Sequence, residues 1–167
     1  PMPLRAQGKI VKYGNAVLSK RDIVASKVHE LSSLKRRAAL QADIRTDDND
    51  AIRIFSIHLT HAHVAAENAP DALEVQRKQA DVLGRLVAGE KTIVMGDFNT
   101  LPHGYAVKKF KDIMQDAEVT PATPTWSVYR DGCNVCLVDG VRYKFDYIFT
   151  SKDVRASSFE VGQSRGS

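Results

Sequence analysis

Cysteine is nearly absent from this chain: there are two in 167 residues, and both stand in one short stretch at Cys133 and Cys136. A disulfide-stapled miniature scaffold is thereby excluded, because such folds spread several bridges along the chain. Tryptophan occurs once, aromatic residues make up 7%, and Gly and Pro number 10 and 6. That composition excludes collagen-like and low-complexity chains. No apolar run approaches the ~20 residues of a membrane-crossing helix, so no membrane span is expected. Pro1-Met2-Pro3 leads into no apolar stretch and is neither an ordinary start nor a signal peptide, so it reads as a cut end. No targeting segment assigns a compartment.

What is present is ordinary for one globular domain: 43% hydrophobic and 26% charged residues. A chain of this length buries roughly 70% of its extended surface, enough for a core without staples. No repeat or linker interrupts it, so residues 1–167 read as a single domain. Charge is distributed unevenly. Residues 1–45 carry ten Lys/Arg against three acids, +7, and the remainder carries −3. A basic half beside an acidic half suits a polyanionic substrate next to a cation-binding cluster, and it equally suits charges scattered over solvated strands.

Hydrophobic patterning predicts short strands at Ile10–Leu18, Ile23–Val28 and Ala38–Ile44. The clearest strand is Ile52–Leu59, with Ile52, Ile54, Ser56 and His58 on one face and Arg53, Phe55, Ile57 and Leu59 on the other. Asp71–Val87 predicts a helix whose apolar stripe holds Leu73, Val75, Ala80, Val82, Leu83, Leu86 and Val87. Thr92–Met95 is a continuous apolar run, the mark of a strand covered on both faces. A weaker helix is predicted over 104–117, a short strand at Thr125–Val128 in a loop-rich region, and strands at Tyr143–Thr150 and Val154–Val161.

Three of these strand ends carry polar groups: His58 followed by His61 and His63, Asp97 followed by Asn99, and Asp146 between Phe145 and Tyr147. Burying such groups without partners costs several kcal/mol, so their positions point to a shared polar site. Strand ends are where open sheets bind ligands. Singly, each has a structural alternative: Asp97 and Asn99 as turn caps, Asp146 paired with Arg142 or Lys144, His58 as a satisfied core histidine.

Taken in order, Tyr13-Gly14-Asn15-Ala16-Val17-Leu18-Ser19, Ser56-Ile57-His58-Leu59, Gly96-Asp97-Phe98-Asn99 and Phe145-Asp146-Tyr147-Ile148-Phe149 resemble the endonuclease/exonuclease/phosphatase superfamily, the deoxyribonuclease-I-like fold. The resemblance implies a layered α/β sandwich with mixed, mainly antiparallel sheets. It implies a divalent-metal-dependent phosphodiester hydrolase, most readily a nuclease attacking in line with an activated water. Asp97 matches the aspartate that orients or deprotonates that water, Asn99 the asparagine on the scissile phosphate, His58 the phosphate-contacting histidine, and Asp146 the aspartate beside the centre. Mg²⁺ or Mn²⁺ is the implied cofactor, with Asp97 and Asp146 as its carboxylates. Nucleic acid is the expected substrate, with phospholipid or sugar phosphate as alternatives, and a non-catalytic nucleic-acid-binding module as the reading from another class.

The chain also departs from that pattern. The family's opening asparagine and glutamate strands have no match before Tyr13. The closing Ser-Asp-His element stops at its serine, Ser167. The expectation is therefore an incomplete family domain, inactive or nearly so alone, with exposed sheet edges that favour self-association. Cys133 and Cys136 are read as plain loop thiols or a local disulfide before any redox or zinc role. His61 and His63 are read as solvent-side loop residues and Trp126 as packing. The basic runs Lys35-Arg36-Arg37 and Lys108-Lys109-Phe110-Lys111 are read as solvated charge, and Asn15 as structural.

Overall fold

The alternation at residues 51–58 and the apolar run at 92–97 form neighbouring strands that point the same way. The chain must return between them through a crossover, which it makes with a helix. The computed structural model describes residues 2–6, 9–33, 37–61, 69–118, 123–127 and 142–162. Along the chain it has β1 (Met2–Ala6), β2 (Lys9–Tyr13), β3 (Ile23–Ser32), β4 (Arg37–Arg45), β5 (Ala51–His58), α1 (Ala69–Leu86), β6 (Thr92–Asp97) and α2 (Tyr105–Ile113). These are followed by β7 (Gln115–Asp116), β8 (Trp126–Ser127), β9 (Arg142–Tyr143) and β10 (Asp146–Thr150). Six strands form one sheet in the order β3-β4-β5-β6-β10-β7, and β1-β2 and β8-β9 are separate two-stranded ladders. Only β5 and β6 pair in parallel; every other described ladder is antiparallel. This is the mixed, mainly antiparallel α/β layering expected from the sequence.

Both helices pack on one face of that sheet. Phe55, Ile57 and Leu59, the face assigned to them by alternation, are buried against Ala80, Leu83 and Val87 of α1 and its end. From α2 come Ala106, Val107 and Phe110. The centre is aromatic: the Phe98 ring meets Phe110, Tyr147 and Phe149 edge-on at 5.2, 5.4 and 5.3 Å. Such contacts add to simple area burial. The opposite face carries Ile54, Ser56 and His58, all half-buried.

Five expectations are corrected. Leu73, assigned to the helix stripe, is exposed, and the stripe runs through Ala72, Val75, Gln76, Gln79, Ala80, Leu83 and Val87. The second helix ends at Ile113, because Ala117 N–H turns onto Ile148 O (2.9 Å) and draws the chain onto β10 as β7. The strand read at 143–150 breaks at Lys144-Phe145. There the Phe145 carbonyl accepts from Phe98 N–H (2.8 Å) and its N–H goes to Thr125 Oγ1 (3.1 Å), so its bonds leave the ladder. Residues 154–161 form no strand: β7 already takes the far edge of β10, and Ser151 N–H turns back to Thr92 O (2.8 Å). The early strand likewise ends at Tyr13 and does not reach Leu18.

Gly96 makes the parallel pairing possible. Its φ is +135°, and a Cβ there would lie 2.1 Å from Ile57 O on the neighbouring strand. Gly96→Ala is expected to destabilise the fold by at least ~2 kcal/mol, from backbone strain plus displacement of β5. Urea unfolding of the two proteins measures it; an unchanged midpoint refutes this account of the contact.

Candidate active site

Register places the three strand-end residues in one row. His58 is opposite Asp97 across the parallel β5-β6 pair, and Asp97 is opposite Asp146 across β6-β10. All three lie at the same end of the sheet. Their side chains alternate out of phase with the buried Ile57, Phe98 and Tyr147 and so stand on the face away from the helices. His58 Nε2 is 3.6 Å from Asp97 Oδ2.

The turn after β6 is fixed by its own carboxylate. Asp97 Oδ1 accepts from the N–H of Asn99 (2.6 Å), which holds the left-handed φ of +48° that asparagine tolerates. Asn99 then ties this turn to the segment after β5, with Nδ2 donating to Leu59 O (3.0 Å) and Oδ1 facing His61 Nδ1 (2.6 Å). Because the amide nitrogen is committed to a carbonyl, its oxygen is the acceptor. The hydrogen of that second bond therefore sits on His61 Nδ1. Leu59 N–H completes the tie to Asp97 O at 2.9 Å.

Electrostatics at this corner disfavour charge. Burial, chiefly, raises the Asp97 carboxyl above its ordinary 3.8, with Asp146 adding to it, while the Asn99 N–H and His58 act the other way. Burial likewise lowers His58 below 6.5, assisted by Arg37 and opposed by Asp97 and Asp146. For the acid, the associated stability is complete below its unfolded value and is lost as pH rises through the folded one. For the histidine it is complete above 6.5 and is lost as pH falls through the folded value.

Asp146 is held from the other side of the site. Thr125 Oγ1 accepts from the N–H groups of both Phe145 (3.1 Å) and Asp146 (3.0 Å). Just before it, Lys144 turns inward and forms a buried ion pair with Glu118, whose other oxygen accepts Thr123 N–H at 2.7 Å. Asp146 therefore pairs with neither of the basic neighbours considered from sequence; Lys144 is engaged elsewhere.

The structure thus brings together His58, Asp97, Asn99 and Asp146. His61 is exposed, as its loop reading has it, and also bonded to Asn99, which that reading lacked. Asn15 is structural, donating to Ala38 O (2.7 Å) and Ser56 O (3.1 Å). Trp126 packs within 6.0 Å of the Tyr143 and Phe145 rings. Lys109 and Lys111 form ion pairs with Asp81 (3.0 Å) and Asp116 (3.3 Å). His63, Lys35, Arg36, Cys133 and Cys136 lie outside the described residues. Sequence reasoning missed Gln76 and Gln79, which are buried beneath the site on α1. Their positions on the 72-75-76-79-80-83 spacing were the available signal, passed over because only apolar residues were counted.

Among the described residues no group of three or more His, Cys, Asp or Glu forms a metal cage. Two carboxylates directly opposite on adjacent strands nevertheless repel each other, a situation a cation relieves. Asp97 and Asp146 therefore fit a hard divalent ion of the kind held by one or two carboxylates and completed by substrate oxygens.

Comparisons with known proteins identify the family and the fold. The pattern of the Endonuclease/Exonuclease/phosphatase family matches residues 6–167, and the chain belongs to that family. Solved structures with the same fold include an endonuclease/exonuclease/phosphatase from Beutenbergia cavernae, with TM-score 0.62 and 14% identity over 90% of this chain and 44% of that one. The human Nocturnin catalytic domain with bound sulfate anion has TM-score 0.56 and 20% identity over 81% and 50%. Truncated Caenorhabditis elegans TDP2 has TM-score 0.56 and 19% identity over 80% and 54%. The chain spans about half the length of these proteins. No curated protein matches it.

Two outcomes follow from the buried corner. Asp97→Asn keeps the acceptor for Asn99 N–H and removes the disfavoured charge, so its urea midpoint at pH 7 should exceed that of the parent, with the gap closing toward pH 3. In NMR titrations His58 should protonate below 6.5. Arg37→Gln should raise that midpoint and Asp97→Asn lower it further; a shift of opposite sign in either variant contradicts the assignment of causes.

Proposed function

We propose that this chain carries the phosphate-handling centre of a divalent-metal-dependent phosphodiester hydrolase of the nuclease type. The observation supporting this most strongly is the row His58, Asp97, Asp146 across three adjacent strands, with Asn99 locked at its end. Asp97 is the residue to orient and deprotonate water, since burial raises its proton affinity above that of a free carboxylate. His58, kept neutral by the same burial, offers a ring N–H to a phosphate oxygen. Asn99 uses one amide hydrogen on Leu59 O and retains the other for the scissile phosphate. Asp97 and Asp146 would hold Mg²⁺ or Mn²⁺, which when bound supplies neutralisation of phosphate charge and stabilises the leaving oxygen. The excess of Lys and Arg in residues 1–45 favours a polyanionic polymer, and nucleic acid is the substrate we assign.

Because the chain spans half the length of its structural neighbours, the assay compares the 167-residue protein with a longer reading frame that contains it. Supercoiled plasmid and a single-stranded oligonucleotide are incubated with Mg²⁺ or Mn²⁺. Cleavage by the longer protein, at least 100-fold slower in Asp97→Ala and weak or absent in the short chain, is the expected result. Hydrolysis of a phospholipid or sugar phosphate with both nucleic acids untouched would move the substrate class. Salt-sensitive nucleic-acid binding without cleavage under either metal would make the protein a binding module.

A further inference from the structure

The site's two loops are anchored in the core by the side chains of Leu59 and Phe98, and their backbone polar groups rest on two amides from α1. Thr60, between Leu59 and His61, has each of its polar groups held there. Its N–H donates to Gln79 Oε1 (2.8 Å), its hydroxyl accepts from Gln79 Nε2 (2.8 Å), and its carbonyl accepts from Gln76 Nε2 (2.8 Å). The same Gln76 nitrogen faces Asn99 O (2.9 Å) and Phe98 O (3.2 Å). One primary amide thus spans the segment that carries His61 and the turn that carries Asn99. Both glutamines are at most 2% exposed, so neither is there for solvent, and among the described residues no other buried position of α1 is polar.

That placement is chemically specific. A buried carbonyl without a donor is costly, and three carbonyls converge on the two hydrogens of one nitrogen. An apolar side chain of equal volume would fill the space but leave them unpaired. The loops would then part, and the Asn99–His61 and Asn99–Leu59 bonds between them would lengthen with it. We infer that Gln76 is a positioning residue, an amide clamp that sets the spacing between the His61 loop and the Asp97-Asn99 turn, with Gln79 fixing Thr60 in place for it. What the clamp positions is the site of the proposed hydrolase; the clamp itself can be read without any catalysis.

The test is amide hydrogen exchange by NMR on the 167-residue chain in metal-free buffer, comparing the parent with Gln76→Met, a volume-conserving change. Expected is at least tenfold faster exchange at Leu59, Phe98 and Asn99 N–H, with unchanged rates in β4 and α2 and shifted signals for the Asn99 side-chain amide and the His61 ring. Val107→Ala, which loosens the core from α2, should instead raise rates throughout. Uniform acceleration in Gln76→Met, or none at those three amides, overturns the clamp and makes Gln76 a core filler. Should Gln76→Met not fold, trans-hydrogen-bond couplings in the parent decide. Couplings from Gln76 Nε2 to the Thr60 and Asn99 carbonyl carbons support the clamp, and their absence overturns it. Neither readout involves cleavage, so a failed nuclease assay and a failed clamp are told apart.

Discussion

Two neighbouring strands that run the same way have to be joined by a segment that travels back along the whole sheet, and β5 and β6 impose that demand on this chain. The return is α1, laid across the buried face. From the parallel pairing it follows that both strands end on the same side, which is why His58 and Asp97 arrive together. β10, entering antiparallel beside β6, begins where β6 ends and adds Asp146 to the same edge. The crossover that satisfies topology also lies directly under the loops leaving those strands, within reach of a side-chain amide. One alignment of two strands thus fixes the location of the site, the element beneath it and the direction from which it is supported.

The tetrapeptide at the end of β6 shows how several constraints fall on consecutive residues. Gly96 is required by the carbonyl of Ile57, against which no side chain fits. Asp97 is required by the turn, where its carboxylate accepts the Asn99 N–H. Phe98 points the other way, into the ring cluster with Phe110, Tyr147 and Phe149. Asn99 takes a backbone conformation that most residues avoid and spends both ends of its amide on the neighbouring loop. Packing, backbone geometry and polar function are therefore not separable here, and a change at any of the four positions disturbs more than one of them.

Much of this was legible in the sequence, and the reason differs by element. The Ile52–Leu59 alternation gave its buried face correctly because a half-buried strand has a period that sequence displays directly. The polar groups at the ends of three apolar runs pointed to one shared corner, and register brings them there. Which strands adjoin was not readable, since register and direction are set by distant partners. The break at Lys144-Phe145 was hidden for a similar reason: its bonds go to Thr125 and Phe98, twenty and more positions away. Gln76 and Gln79 escaped because a pattern of hydrophobicity treats a core-facing amide as noise, although the helix spacing places it inside.

The two edges of the main sheet are unequal. At one side β7 offers two residues; at the other β3 runs for ten, with Val24 and Val28 exposed along it. In terms of assembly the sheet has a valence of one. A second molecule pairing through β3 would close a couple about a twofold axis and leave only short β7 edges outward, too little to template a third. Among the described residues, growth of this main sheet by edge addition would stop at two copies, so its two edges separate pairing from filament formation by the length of a single strand.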